Sequence, residues 1–228
     1  MILNTIRNEF TEIEEGSSNR ALLNLLEYIE KTLPDFPNSQ EFVDILEMRK
    51  HENQHSLSFC VYMTNKCKST YYFSRENAQK SSFTVDIGIY QGSNLIFTME
   101  AKLLPTPKGT KRKPRAEHEY VYGKGGGIQR FRDGFHGVDN RNNPLSENGM
   151  IAYIKENDFE YWFSKVNQWV LDANWEKSEQ LEKIYFKSTG KLFSRHTRQK
   201  AADVNLYHFW IYVNQHMIRT PVRNSFSS

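Results

Sequence analysis

The sequence predicts an α/β sandwich around a mixed sheet. Three observations predict it. A strongly amphipathic helical pattern precedes the first β-rich segments. Two apolar, partly β-branched runs, Phe83–Tyr90 and Leu95–Leu103, are separated by the turn-forming Gln91-Gly92-Ser93-Asn94. Helical and strand patterns then alternate toward the C-terminus, giving the order α, ββ(β), α, β, α, β.

The elements follow in order. Leu22, Leu25, Leu26, Ile29 and Leu33 recur at helical spacing, and Pro34 stops the pattern. A second helical stretch begins near Ser39 and carries Phe42, Ile45, Leu46 and Arg49. Leu57, Cys60, Val61 and Thr64 continue at i, i+3, i+4, i+7; the same segment alternates like a strand, and the longer period favours helix. Tyr71-Tyr72-Phe73 reads as a short aromatic strand. A long basic loop with Pro107, Gly109 and Pro114 follows Pro105. Tyr122 to Phe131 reads as a glycine-rich lead into a helix. Met150–Ile154 is a short strand, Phe159–Ala173 a helix with Trp162, Phe163, Val166, Trp169 and Val170 on one face, and Val204–Val213 a last strand.

Length and composition narrow the class. The 228 residues suit one domain, 1–228, with a helical lead-in over 1–41, a core over 42–155 and completing elements over 156–228. No apolar run approaches a membrane span, and the N-terminal residues lack a secretory pattern. Cys60 and Cys67 are the only cysteines, too few for a cysteine-rich zinc cluster or a disulfide framework. Reduced thiols imply a cytoplasmic protein. The net charge of +3 does not itself argue for nucleic acid. Local clusters argue better: Lys108, Lys111, Arg112, Lys113 and Arg115 in one stretch, Arg195, His196, Arg198 and Lys200 in another. Each also reads as an ordinary solvated loop.

The chemistry centres on Phe97-Thr98-Met99-Glu100-Ala101-Lys102. On a strand, Glu100 and Lys102 project from one face. With the loop at 92–94, antiparallel pairing sets Asp86 opposite Glu100. Two opposed carboxylates repel, so a shared proton or a divalent cation must offset them. Asp86, Glu100, a backbone carbonyl and waters suit a hard ion such as Mg2+; zinc would want His or Cys. The surrounding apolar residues, Val85, Ile87, Ile89, Ile96, Phe97 and Met99, argue against a solvated rim.

Asp86 followed by Glu100-Ala101-Lys102 resembles the motif of the PD-(D/E)xK nuclease superfamily, over roughly residues 42–155. Val85 stands where that motif often has proline. The resemblance implies a restriction-endonuclease-like fold, a mixed β-sheet flanked by helices with an α-β-β-β-α-β core. It implies a metal-dependent endonuclease acting on DNA, with restriction or anti-phage defence as its setting, Mg2+ as cofactor and Mn2+ as substitute. Asp86, Glu100 and the Ala101 carbonyl would hold the metal, joined by a helix glutamate, Glu52 or its rival Glu47. Lys102 would act on the attacking water and Gln129 support it. Double-stranded DNA is the implied partner, with no membrane and a homodimer as one arrangement. Lys124, Gly126, Gly127 and Arg130, at a helix start, read as backbone contacts, with Lys111, Arg112, Lys113, Arg195 and Arg198 as further phosphate contacts.

Overall fold

The computed structural model describes residues 20–48, 52–111 and 113–213. Residues 20–32 form helix α1, whose Leu25, Leu26 and Ile29 are buried, and Leu33–Asn38 tighten into a 3-10 turn where Pro34 and Pro37 end the α pattern. Helices α2 (Gln40–Met48) and α3 (Glu52–Lys66) follow. Then come strands β1 (Tyr72–Ala78), β2 (Thr84–Gln91) and β3 (Asn94–Leu104), the small ribbon β4 (Gly109–Thr110) and β5 (Lys113–Pro114), helix α4 (Gly127–Arg132), strand β6 (Glu147–Ile154), helix α5 (Phe159–Asp172), and strands β7 (Glu182–Phe186), β8 (Thr189–His196) and β9 (Val204–Tyr212).

Seven strands form one mixed sheet in the order β1-β2-β3-β6-β9-β8-β7. The β3–β6 and β6–β9 pairs are parallel and the outer pairs antiparallel. Parallel neighbours need crossovers, and the segments carrying α4 and α5 supply them. Two apolar layers result. On one face Phe36, Phe42, Phe59 and Met63 pack on Ile87, Ile89, Phe97, Met99, Ala101 and Leu103. On the other, Tyr120, Ile128, Phe131, Trp162, Val166 and Val170 pack on Leu104, Met150, Ala152, Leu206 and Trp210. Helix α5 is fixed at its start by Asp158, whose side chain accepts from the Tyr161 N–H at 2.8 Å.

The sheet is larger than the periodicity indicates. β1 extends five polar-rich residues past Tyr71-Tyr72-Phe73, because an edge strand keeps one side in water. β8 runs through the basic segment 191–196, alternating buried Leu192, Ser194 and His196 with outward Arg195. Among the described residues no helix is long and apolar enough to cross a membrane. Both cysteines are buried free thiols.

Candidate functional site

Strand alternation in β3 sends Met99, Ala101 and Leu103 into the first core and Glu100 and Lys102 to the other face. Both charged side chains are buried, at 1% and 4% exposure. Isolated charges at that depth are prohibitive, so they are paired. Lys102 Nζ donates to Glu100 Oε1 at 2.7 Å, and Arg130 Nη1, from α4, donates to the same oxygen at 3.0 Å. His136 Nδ1 stands 3.3 Å from Oε2, off the axis of a hydrogen bond. Burial opposes the Glu100 charge; Lys102, then His136, then Arg130 outweigh it and hold the carboxyl well below the usual carboxylate range.

Asp86 joins this cluster where β2 and β3 part. Their ladder pairs Ile87 with Met99 and goes no further. The next β3 amide on that edge, Ala101 N–H, donates to Asp86 Oδ2 at 2.8 Å. The Asp86 carboxylate therefore caps the peptide that joins Glu100 to Ala101. The expected Asp86–Glu100 strand pair is thus replaced by Asp86 docking on the amide between Glu100 and Lys102.

The donor set suits a hard divalent ion. Magnesium is commonly held by one or two carboxylates together with substrate phosphates, and Glu100 Oε2 has no well-formed hydrogen bond. Among the described residues, no three or more His, Cys, Asp or Glu side chains come together as a metal group. The side chains of Glu47 and Glu52 lie outside the described residues; the helix that Glu52 opens packs on the opposite face of the sheet from Glu100. Asp86 and Glu100 against Lys102 and Arg130 leave the cluster close to neutral.

Gln129 turns toward the glycine loop, where its Oε1 accepts from the Gly123 N–H at 3.0 Å. Its neighbour Arg130 is the α4 side chain that reaches Glu100. Gly126 and Gly127 serve close packing. A Cβ at Gly127 would stand 2.6 Å from Met150 Cε, 3.0 Å from the Tyr120 carbonyl oxygen and 3.3 Å from Lys102 Cε. Lys124 is exposed beside them, and Lys111 is exposed at the tip of the β4–β5 ribbon. Arg112 and the Lys113 side chain lie outside the described residues. Arg195 is exposed and pairs with Asp203 at 3.1 Å. Arg198 is buried, donating from Nε to the Phe131 carbonyl at 2.9 Å and from Nη1 to the Leu145 carbonyl at 3.0 Å.

A second buried polar group shares this face. The sheet register aligns Glu100 with Met150 and Met150 with His208. Trp210 Nε1–H donates to Tyr120 Oη at 2.9 Å. Tyr120 then donates to His208 Nδ1 at 2.8 Å, which leaves the proton of that imidazole on Nε2. His208 Nε2 donates to Ser194 Oγ and Ser194 to His196 Nε2, each at 2.8 Å. His196 Nδ1 then faces Glu179 Oε1 at 3.4 Å, and Glu179 also takes both Nε and Nη2 of Arg132. Burial pushes the His208 and His196 pKa values down, His208 strongly, matching two neutral rings. Neither His136 nor this chain carries a sequence signal: loop and strand residues far apart in sequence meet only through the sheet order.

No protein-family model, curated protein sequence or solved structure matches the chain.

Proposed function

We propose that this chain is a metal-dependent endonuclease of the PD-(D/E)xK kind, with the restriction-endonuclease-like version of its α/β fold, hydrolysing phosphodiester bonds in DNA. One observation carries the reading: Asp86, Glu100 and Lys102 converge where β2 and β3 separate, two of them buried and Asp86 docked on the Ala101 amide. An ordinary surface hairpin pair would stand in water and contribute little.

Asp86 and Glu100 are the carboxylates that would hold one Mg2+, together with the Ala101 carbonyl. When bound, the ion would lower the pKa of a water and offset charge on the phosphate. Lys102, whose ammonium pairs with Glu100, would orient the attacking water by donating to it. Arg130, with its side chain 27% exposed, can turn from Glu100 to a phosphate oxygen. As the bond from water oxygen to phosphorus forms, the bond to the leaving sugar oxygen breaks. Gln129 acts one step back by holding the Gly123 loop. A role in restriction or anti-phage defence, and a homodimer for double-strand cutting, extend the same reading by analogy.

Supercoiled plasmid incubated with the purified protein in Mg2+, Mn2+ or EDTA tests it, with Asp86→Ala and Lys102→Ala alongside. Nicking or linearisation that needs metal and disappears in both variants is the expected result. Absence of cutting with every metal, together with no calorimetric metal binding, would leave a nuclease-like nucleic-acid-binding subunit instead.

A further inference from the structure

A cleft of about 410 Å3 opens beside the site, between the 133–144 loop and the 198–201 segment. Four cationic side chains line it, Lys80, Arg132, Arg198 and Lys200, against one carboxylate, Asp133. Glu179 neutralises Arg132. Arg198 is different: it is 6% exposed, and its hydrogen bonds among the described residues go to two carbonyls and to no carboxylate. A buried guanidinium left with a net charge favours an anion nearby. Gly137, at φ +79°, lets it lie there, since a Cβ would stand 2.9 Å from Arg198 Nη2.

His136 is the shared wall between this cleft and the carboxylates. It is fully buried, lines the cleft, and keeps Nδ1 3.3 Å from Glu100 Oε2 while Nε2 has no hydrogen bond. Ten buried side-chain nitrogens and oxygens among the described residues lack a hydrogen bond, and five belong to Glu100, Arg130, His136 and Arg198. The deficit is concentrated here, and Arg130 Nε, Arg198 Nη2 and the protonated nitrogen of His136 are donors that call for acceptor oxygens. The wall is also held in place. Gln79 accepts from the Val138 N–H at 3.0 Å, and Asp139 accepts from the Arg141 and Asn143 N–H groups at 2.8 Å each.

We infer that this cleft is a phosphate subsite, which receives a backbone phosphate of duplex DNA one imidazole away from Glu100. The inference rests on the nuclease reading for its choice of ligand. A phosphate diester supplies the negative charge that the Arg198 guanidinium lacks, and the exposed Lys80 and Lys200 draw it in.

The test is fluorescence anisotropy of a labelled 30-base-pair duplex in EDTA, across a salt series, with the full chain. Lys80→Glu and Lys200→Glu are compared with Lys66→Glu, which makes the same charge change on α3, on the other side of the sheet. Each cleft variant is expected to weaken binding on the order of tenfold and reduce the salt slope by about 1. The Lys66→Glu protein should stay near wild type. Equal effects from all three, or none from the cleft pair, would overturn the subsite. Calorimetry with inorganic phosphate and with a nucleoside monophosphate separates the sources: either one binding as tightly as the duplex would assign the cleft to a small phosphate and overturn the inference. Binding loss in the cleft variants without plasmid cutting by the wild type would sink the nuclease reading and leave the subsite standing.

Discussion

Two buried polar clusters lie on the same face of one sheet, two strands apart with Met150 between them, and they differ in how their hydrogen bonds close. From Trp210 through Tyr120, His208 and Ser194 to His196, every link is made at 2.8 to 2.9 Å and one donor order satisfies them all. Only the last approach, His196 to Glu179, is loose at 3.4 Å. Around Glu100 the cations Lys102 and Arg130 crowd one carboxylate oxygen, and among the described residues Oε2, both nitrogens of His136 and the Arg130 Nε make no hydrogen bond, Oε2 and His136 Nδ1 only facing each other at 3.3 Å. A closed network fixes a single packing arrangement. On the nuclease reading, the open one, equally buried, is where metal and phosphate would complete the set, so that stability would belong to the first cluster and chemistry to the second.

The largest expected effect separates those assignments. Lys102→Met keeps an apolar stem of similar length and leaves Glu100 paired with Arg130. Metal-dependent plasmid cutting is expected to fall by at least ~10³-fold, about 4 kcal/mol of transition-state stabilisation, with only a small change in midpoint on thermal unfolding. A cutting rate within tenfold of wild type would remove Lys102 from the reaction.

The converse comes from the closed cluster. His208→Phe fills the space but leaves the Tyr120 O–H without an acceptor and takes from Ser194 the donor it accepts, although Trp210 and His196 still bond the two hydroxyls, a loss of about 1 to 3 kcal/mol for the orphaned O–H and less for Ser194. Unfolding free energy is expected to drop by roughly 2 to 5 kcal/mol, with cutting per folded molecule unchanged below the new midpoint. Loss of cutting without loss of stability would reverse the two roles.

The clusters touch at Gly127, where a Cβ would press on Met150, on the Tyr120 carbonyl and on Lys102. Gly127→Ala should therefore shift both readouts, lowering stability by about 1 to 3 kcal/mol and cutting by several-fold. A change in stability alone would mean that α4 yields without moving Lys102.

Much of the open cluster was legible because it is local. Asp86, Glu100 and Lys102 sit on two strands joined by a short turn, but the turn is Gly92-Ser93, one residue shorter than the expected 92–94, and a register shift at Ile89/Tyr90 restores the offset that sets Ile87 opposite Met99. The hairpin, α5 and the last strand were legible for the same reason. The ring of partners was not. Arg130 reads equally as a phosphate contact, because an exposed arginine and one that reaches inward look alike in sequence. His136 lies in a loop with no period. Arg198 and His196 looked like parts of a basic surface segment, whereas β8 alternation buries His196 and two distant carbonyls bury Arg198. Glycine spacing suggested an anion-binding helix start, but α4 is six residues long and its glycines admit neighbouring side chains.

Acid should also distinguish the two regions. His208, His196 and His55 are all held below 6.5, His55 at about 4, chiefly by burial. Below pH 6.5 the unfolded chain binds protons that the folded chain does not, so their contribution to stability is present above 6.5 and is lost as pH falls. Glu100 is held below 4.5, so its contribution persists to about that pH and is lost beneath it. Denaturant titrations from pH 7 to 5 should show a slope that is shallower in His208→Phe by up to about 1.4 kcal/mol per pH unit. Glu100→Gln should run parallel to wild type over that range and diverge below pH 4.5. Parallel slopes for His208→Phe and wild type would show that this imidazole does not resist protonation in the fold.

The smallest effect tests whether the open cluster is held in check by its own cation. On the nuclease reading Arg130 and a divalent ion would compete for Glu100, and while Arg130 is bound the cluster is near neutral. Arg130→Gln returns one net negative charge to Asp86 and Glu100. Without DNA, Mn2+ followed by electron paramagnetic resonance should bind about three- to tenfold more tightly, up to roughly 1.4 kcal/mol, an effect limited by the exposure of the guanidinium. With DNA present the order should invert, because the phosphate loses its Arg130 contact: duplex affinity falls although the carboxylates are freer. The two measurements must move in opposite directions for Arg130 to be the group that exchanges a carboxylate for a phosphate. Metal affinity that stays at the wild-type value would place the ion on Glu100 Oε2 alone, beyond the reach of this competition.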